Sequence, residues 1–220
     1  MAVPARARSS PLVRLGGFLV LAAAYGVVVA GRVAAGAPVE EVTPDPSSVT
    51  GSSAYVGLGS MLGLMMWAGA AGAALTAAFA LRARGRRPEE VRFLLATGAL
   101  ALVAGVDDAA LVHEQIAPAW LGIPQVVVLG AYGVIALAWI VRFRERLRES
   151  DVLLLGLAGA CFAVSILIDQ VLVSRVVEDS FKYLGLATFL VYVVREAHAS
   201  LVEAPQEDGL RAERRAASHP

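Results

Sequence analysis

From residue 15 onward the chain alternates long apolar runs with short polar connections. Six runs are long enough to cross a hydrocarbon core of roughly 30 Å as helices. They cover residues 15–31, 56–81, 93–116, 120–141, 152–174 and 178–194. Apolar residues follow one another without the two-residue alternation of a barrel strand, and backbone groups left unpaired in lipid are costly, so the spans are expected to be helices. The expected fold class is therefore all-α, a polytopic bundle of six transmembrane helices. It forms one domain over residues 1–204, followed by a charged tail, 205–220, that lacks an apolar face and is expected to be disordered.

The polar connections carry the topology. Arg6, Arg8 and Arg14 precede the first span, Arg82, Arg84, Arg86, Arg87 and Arg92 lie around the start of the third, and Arg142, Arg144, Arg146 and Arg148 lie between the fourth and fifth. With Arg195, Arg211, Arg214 and Arg215, sixteen of the nineteen basic residues fall on one side, leaving Arg32, Arg175 and Lys182 for the other. The positive-inside rule then places both termini in the cytoplasm. The first span also fits a cleavable signal peptide ending at Ala35-Gly36-Ala37, but Pro38 would be an unusual new first residue, which favours a retained helix. The loop over 32–53, with Pro44-Asp45-Pro46, is expected to be irregular.

Composition narrows the class further. Hydrophobic residues make up 57% of the 220 and charged residues 17%, with a mean hydropathy of +0.66. This excludes a disordered chain and disfavours an ordinary soluble domain. The net charge is zero and the arginines sit in short clusters, so no broad basic surface is offered to nucleic acid. The single Cys161 cannot form an internal disulfide. The expected surroundings are a lipid bilayer, that of a cell membrane.

Ionisable residues within spans carry the chemistry, because an Asp at the centre of an inserted helix costs roughly 2.5–3.5 kcal/mol. Asp107, Asp108, His113 and Glu114 lie in the third span, Asp169 in the fifth, and Glu178, Asp179 and Lys182 at the start of the sixth. At about 1.5 Å of rise per residue, Asp108 lies roughly 22 Å beyond Phe93 and Asp169 roughly 26 Å beyond Val152. Both occupy the outer third, level with Glu178 and Asp179 at the rim. On a regular helix Asp107 and Glu114, seven apart, share a face directed at the bundle interior, while Asp108 or His113 meets a neighbouring helix. Lys182 could be the counter-ion of Asp107 or Asp108. Nine outer-side acids face three bases, an excess that would attract cations or hold protons.

Other features have structural readings. Glu178 and Asp179 suit a helix start, with Glu178 four residues before Lys182. Gly59 and Gly63, and Gly69 and Ala73, give small-residue spacing for close helix contact. Trp120 and Trp139 are placed as an aromatic belt, whereas Trp67, near mid-membrane, packs or lines a cavity. Counting from the basic loops aligns the third and fifth spans, which suggests two related hairpins with Asp108 and Asp169 in equivalent places.

The pattern Asp107-Asp108, four residues, His113-Glu114, then Gly122-Ile123-Pro124, and later Glu178-Asp179-x-x-Lys182 with Gly185, resembles a family of small uncharacterised prokaryotic membrane proteins. Asp45-Pro46, Ser60, Gly63 and Trp67 fit the same pattern, while Ala109 and Ala110 stand where bulkier apolar residues are expected. The resemblance supports the choice of site residues and implies no activity.

Asp107, Asp108, Asp169 and Lys182 are thus the candidate catalytic groups, and His113, Glu114, Glu178 and Asp179 the candidate ligands of a divalent metal. The leading expectation is a membrane-embedded enzyme acting on a lipid or prenyl-type substrate, with Lys182 stabilising substrate charge and His113 a ligand or proton shuttle. The alternatives are proton- or cation-coupled transport through Asp108 and Asp169, or a sensor or assembly partner whose buried charges set helix packing.

Overall fold

The computed structural model describes residues 57–85, 88–171 and 175–217, together with 50–53 and scattered positions between 19 and 36; Arg175 and 203–217 are described by backbone alone. The chain divides into two units, residues 1–58 and 59–220. In the first, the described positions from Leu19 to Ala34 are helical. The remainder of the 15–31 span and most of the 32–53 loop, including Asp45-Pro46, lie outside the described residues.

Beyond them run α1 (Leu58–Ala83), α2 (Pro88–Ala110), a π-helical turn (Val112–Ile116), α3 (Ala117–Leu121), α4 (Gln125–Arg142), α5 (Arg144–Arg148), α6 (Val152–Val171) and α7 (Arg175–Ala217). No strand occurs among the described residues. Among the described residues five helices are long and apolar enough to cross a membrane: α1, α2, α4, α6, and α7 over Val176–Val202. Large apolar side chains such as Leu153, 81% exposed, and Val176, 79% exposed, face outward, as on helices set in lipid. The protein is an all-α, multi-pass membrane protein.

Two boundaries differ from those drawn on hydropathy. Trp120 belongs to the separate short helix α3, because Gly122 turns left-handed at φ 66° and Pro124, at the N-cap, starts α4. Where an unstructured tail is expected from residue 205, the backbone of α7 continues as helix to Ala217. Extending an existing helix adds one bond per residue fixed, without a new nucleus.

Between apolar helices in lipid there is little hydrophobic drive, so close packing of small residues holds them together. α1 buries Ala70, Ala71, Ala74, Ala77 and Ala78. A Cβ added at Gly98 would fall 2.7 Å from Leu75 and one at Gly105 2.9 Å from Trp67, so α2 lies tight against α1. Gly63 and Gly69 approach Leu186 and Leu190, which seats the small-residue face of α1 on α7 as its spacing suggests. Gly185 leaves room for Phe162, so α7 in turn packs on α6. Trp67 joins these layers, stacking on Phe162 at 5.8 Å and meeting Phe189 edge-on at 5.7 Å.

α4 is attached differently. Only 6% of its apolar window is buried, against 33% for α1 and α2. It contacts the bundle near its arginine-rich end, where buried Trp139 and Phe143 surround Phe93 of α2 at 5.6 and 5.5 Å. Trp139 is therefore part of the core and not of an aromatic belt. Just beyond, Arg146 of α5 bonds Glu90 of α2 through Nε at 2.9 Å and Nη2 at 2.8 Å, and Glu196 of α7 at 2.7 Å. Ser200 donates to the same Glu90 carboxylate, and Glu196 accepts the backbone N–H of Asp151. Burial alone would lower the guanidinium's pKa, but hydrogen bonds and charge from Glu90 and Glu196 hold it above the ordinary arginine value. Arg146 thus ties α2 and α7 to the segment that follows α4.

Candidate functional site

At the other end of the bundle α2 stops at Ala110, and Leu111 turns left-handed at φ 53°. The Leu111 carbonyl then accepts from Gln115 at 2.8 Å and from Ile116 at 3.1 Å, widening the next turn to a π-helix. Pro118 contributes: it has no N–H to return to residue 114, and its ring would crowd that carbonyl in a regular helix. The break changes the angles that a straight helix would impose. His113 swings back over Asp107, which takes its backbone N–H on Oδ1 at 3.0 Å and pairs with its ring Nδ1 through Oδ2.

Asp107 is buried, with its side chain 8% exposed, and Tyr132 of α4 also donates to its Oδ1, at 2.8 Å. Two donors, the His113 backbone N–H and the Tyr132 hydroxyl, hold Oδ1, and Oδ2 pairs with Nδ1 of the His113 ring. That leaves Nε2 as the ring's second nitrogen. Glu114 Oε1 lies 3.5 Å from it, beyond a good hydrogen bond, and Glu114 itself is half-exposed. Glu114 therefore does not share the interior face with Asp107, contrary to the straight-helix expectation, for the same reason that His113 does.

Asp108 is the neighbour that reaches across the bundle. Its side chain, 10% exposed, is paired with Lys182 of α7. Of the two counter-ion choices, the structure takes Asp108. An ammonium has three donors, so two remain on Lys182 after this pairing. Asp169, at the end of α6, accepts from Gln125 of α4 at 3.0 Å and from Gln170 at 2.8 Å. Asp108 and Asp169 thus sit at the same end with different partners, a cation for one and amides for the other.

The eight candidates fall into one electrostatic neighbourhood. Lys182 interacts with Asp108, Glu114 and Asp179, and Glu178 with Asp169, Asp179, Lys182 and Glu114. Carboxylates from α2, α6 and α7 are brought together in this way. They do not form a metal cage: among the described residues no three His, Cys, Asp or Glu side chains are grouped as an ion would need. His113 has committed one ring nitrogen to Asp107, and Asp179 is exposed.

Tyr132 and Gln125 complete the site and were not singled out from the sequence. The signal was present: they are seven apart on an otherwise apolar span, on one face, with Trp139 seven further on. Tyr132 also belongs to a second feature. A cavity of about 680 Å³, almost wholly apolar, runs between α2, α4 and α6, with Trp67 and Phe189 behind it, and Tyr132 lies in its wall.

A family model for a domain of unknown function, DUF8692, matches residues 16–195. The chain belongs to the DUF8692 family. No curated protein and no solved structure matches it. In DUF8692 terms the match takes in every helix of the site and all eight candidate residues. Two glycines of the resemblance noted above have clear local roles here, Gly122 ending α3 in the left-handed region and Gly185 admitting Phe162.

Proposed function

We propose that this DUF8692 protein is an enzyme of a cell membrane that performs acid/base chemistry on a lipid, with Nε2 of His113 as the general base. The observation that carries the reading is the Asp107–His113–Tyr132 constellation. A buried carboxylate fixes one nitrogen of an imidazole and leaves the other directed away from it, which is how an enzyme sets the tautomer and aim of a proton-transfer group. Positioned proton transfer of this kind contributes typically about 10²–10⁴-fold to a rate. Asp107 and Tyr132 are then positioning residues.

The reaction class that fits is ester hydrolysis or acyl transfer. His113 takes a proton from water or from a lipid hydroxyl as the oxygen attacks an ester carbonyl; the alkoxide that departs takes the proton back. The two free donors of Lys182 suit the negative charge that builds on the carbonyl oxygen. Because the grouped carboxylates offer no metal cage, the proton-transfer reading is preferred to a divalent-metal one.

Proteoliposomes made with mixed ester lipids test this by mass spectrometry of the lipid pool. Wild type is expected to convert one ester lipid with time and His113→Gln to lose that conversion by at least a hundredfold while keeping its helical circular dichroism. An unchanged lipid pool in wild type, or equal turnover in His113→Gln, overturns the reading. Proton flux abolished by Asp169→Asn, with no lipid turnover, would replace it with transport.

A further inference from the structure

We infer that the cavity between α2, α4 and α6 binds the acyl chain of an uncharged glycerolipid, of the diacylglycerol class, with its ester groups held at the Tyr132 end. This deepens the function proposed above and rests on it for the position of the headgroup.

The cavity is suited to a chain. Its 680 Å³ falls within the range of ligand sites, and its exposed lining is almost entirely hydrocarbon. Small residues, Ala96, Ala99 and Ala136 among them, line it where larger ones would have closed it. The cavity is open on one side and its lining is apolar, so it offers water few partners. It cannot close by collapse, because α4 is held at both ends: Gln125 bonds Asp169, and Arg146 beyond the helix bonds Glu90 and Glu196. Its walls are membrane-spanning helices, so hydrocarbon of the bilayer is what reaches it.

Tyr132 sets the direction of the occupant. Its ring lines the cavity while its hydroxyl bonds Asp107, the carboxylate that aims His113. A chain in the cavity therefore ends at the candidate base. Charge selects the headgroup. Lys182 has Asp108, Glu114 and Asp179 about it, His113 has Asp107 and Glu114, Asp169 and Glu178 adjoin them, and Lys182 is already paired with Asp108. A phosphate or other anion would meet this acidic surround at close range, whereas a hydroxyl or ester would not.

Two of the three tryptophans, Trp67 and Trp139, line the cavity, and the third, Trp120, is 70% exposed on α3. In a Trp120→Phe background, fluorescence quenching by lipids brominated on the acyl chain therefore reads the cavity. Phosphatidylcholine vesicles carrying a small fraction of brominated diacylglycerol are compared with vesicles carrying the same fraction of brominated phosphatidylglycerol. Gly159 lies in the wall with nothing within 4 Å of an added Cβ, so Gly159→Leu fills the cavity without a clash at that first carbon.

Brominated diacylglycerol is expected to quench several-fold more than its mole fraction predicts, brominated phosphatidylglycerol no more than its mole fraction, and Gly159→Leu to remove the excess with its thermal unfolding unchanged. Quenching that follows mole fraction for both lipids overturns the site. An excess that survives in Gly159→Leu places the chain elsewhere, and preferential quenching by phosphatidylglycerol overturns the headgroup assignment. His113 lies outside the cavity wall, so excess quenching retained in a protein without lipid turnover would refute the proposed enzyme and leave the binding site standing.

Discussion

Replacing Arg146 by methionine isolates the charge that joins three helices at the arginine-rich end. Glu90 and Glu196 are 8% and 7% exposed, and the guanidinium between them is the cation that bonds both. Without it Glu90 and Glu196 lose the guanidinium they share. Breaking a buried pair by removing one partner costs about 3–5 kcal/mol. The Arg146 side chain retains 17% exposure, which favours the lower part of that range. At about 2–4 °C of Tm per kcal/mol for a chain of this size, thermal unfolding in detergent should fall by roughly 6–12 °C. The triple variant Glu90→Leu, Arg146→Met, Glu196→Leu removes the charges together. Ser200 then still donates to the Glu196 carbonyl at 2.7 Å, so its hydroxyl is not orphaned. Well-packed apolar replacements of buried ion clusters are often neutral or stabilising, and the triple variant should return to within about 1 kcal/mol of wild type. A single variant that loses less than about 1 kcal/mol, the scale of an exposed pair, refutes the reasoning. So does a triple variant as unstable as the single one, since the loss would then come from packing and not from the lost ion pairs.

The same thermal assay checks three further expectations. Lys182→Met should cost about 3 kcal/mol by leaving Asp108 unpaired, and Asp108→Asn with Lys182→Met should recover most of it; additive losses would show that the pair is not coupled. Leu111→Val should destabilise by about 1–2 kcal/mol, because a β-branched residue is strained at φ 53°, whereas Leu111→Gly removes the backbone strain; equal effects would refute a left-handed residue at the end of α2. Gly72→Ala, with nothing near the new methyl, should gain up to about 1 kcal/mol from helix propensity, while Gly105→Ala should lose about 1–3 kcal/mol against Trp67; stabilisation by both would mean that α1 and α2 are not in contact.

What could be read from the sequence follows from which forces leave a one-dimensional trace. A helix that crosses lipid must be a long apolar run, so α1, α2, α4, α6 and α7 were visible, and ionisable residues inside such runs are rare enough to mark the site. The pairing of Asp108 with Lys182 was one of two stated choices. The bond from His113 to Asp107 was hidden, because it depends on a left-handed turn at Leu111, a residue with no turn preference, and on Pro118 just past the expected end of the span. Tyr132 and Gln125 were hidden by attention to charge: neither is ionised, yet their seven-residue spacing marks the inward face of α4. Arg146 was counted toward topology, as arginines in basic loops usually are, and nothing in the sequence separates it from Arg144 or Arg148. Only the fold shows that it alone of the three reaches Glu90 and Glu196.

The way α4 is held connects the site to the cavity. A helix in lipid gains little by burying Val or Leu against other helices, so polar bonds and close packing must hold it, and on α4 these are gathered toward its ends. Gln125 bonds Asp169 at one end and Tyr132, two turns further in, bonds Asp107, while Trp139 packs on Phe93 and Arg146 bonds two carboxylates at the other end. Between them Ala136 and Ala138 face a space that a bundle built by hydrophobic collapse would have filled with leucine. In the bilayer such a space is not penalised as it would be in water, because hydrocarbon fills it at no hydrophobic cost. Two consequences follow together. The cavity persists because its wall is fastened by hydrogen bonds and not by contact across it, and one of those fastenings, Tyr132 to Asp107, also holds the carboxylate that aims His113. The ring that walls the cavity and the hydroxyl that holds Asp107 therefore belong to one side chain, Tyr132.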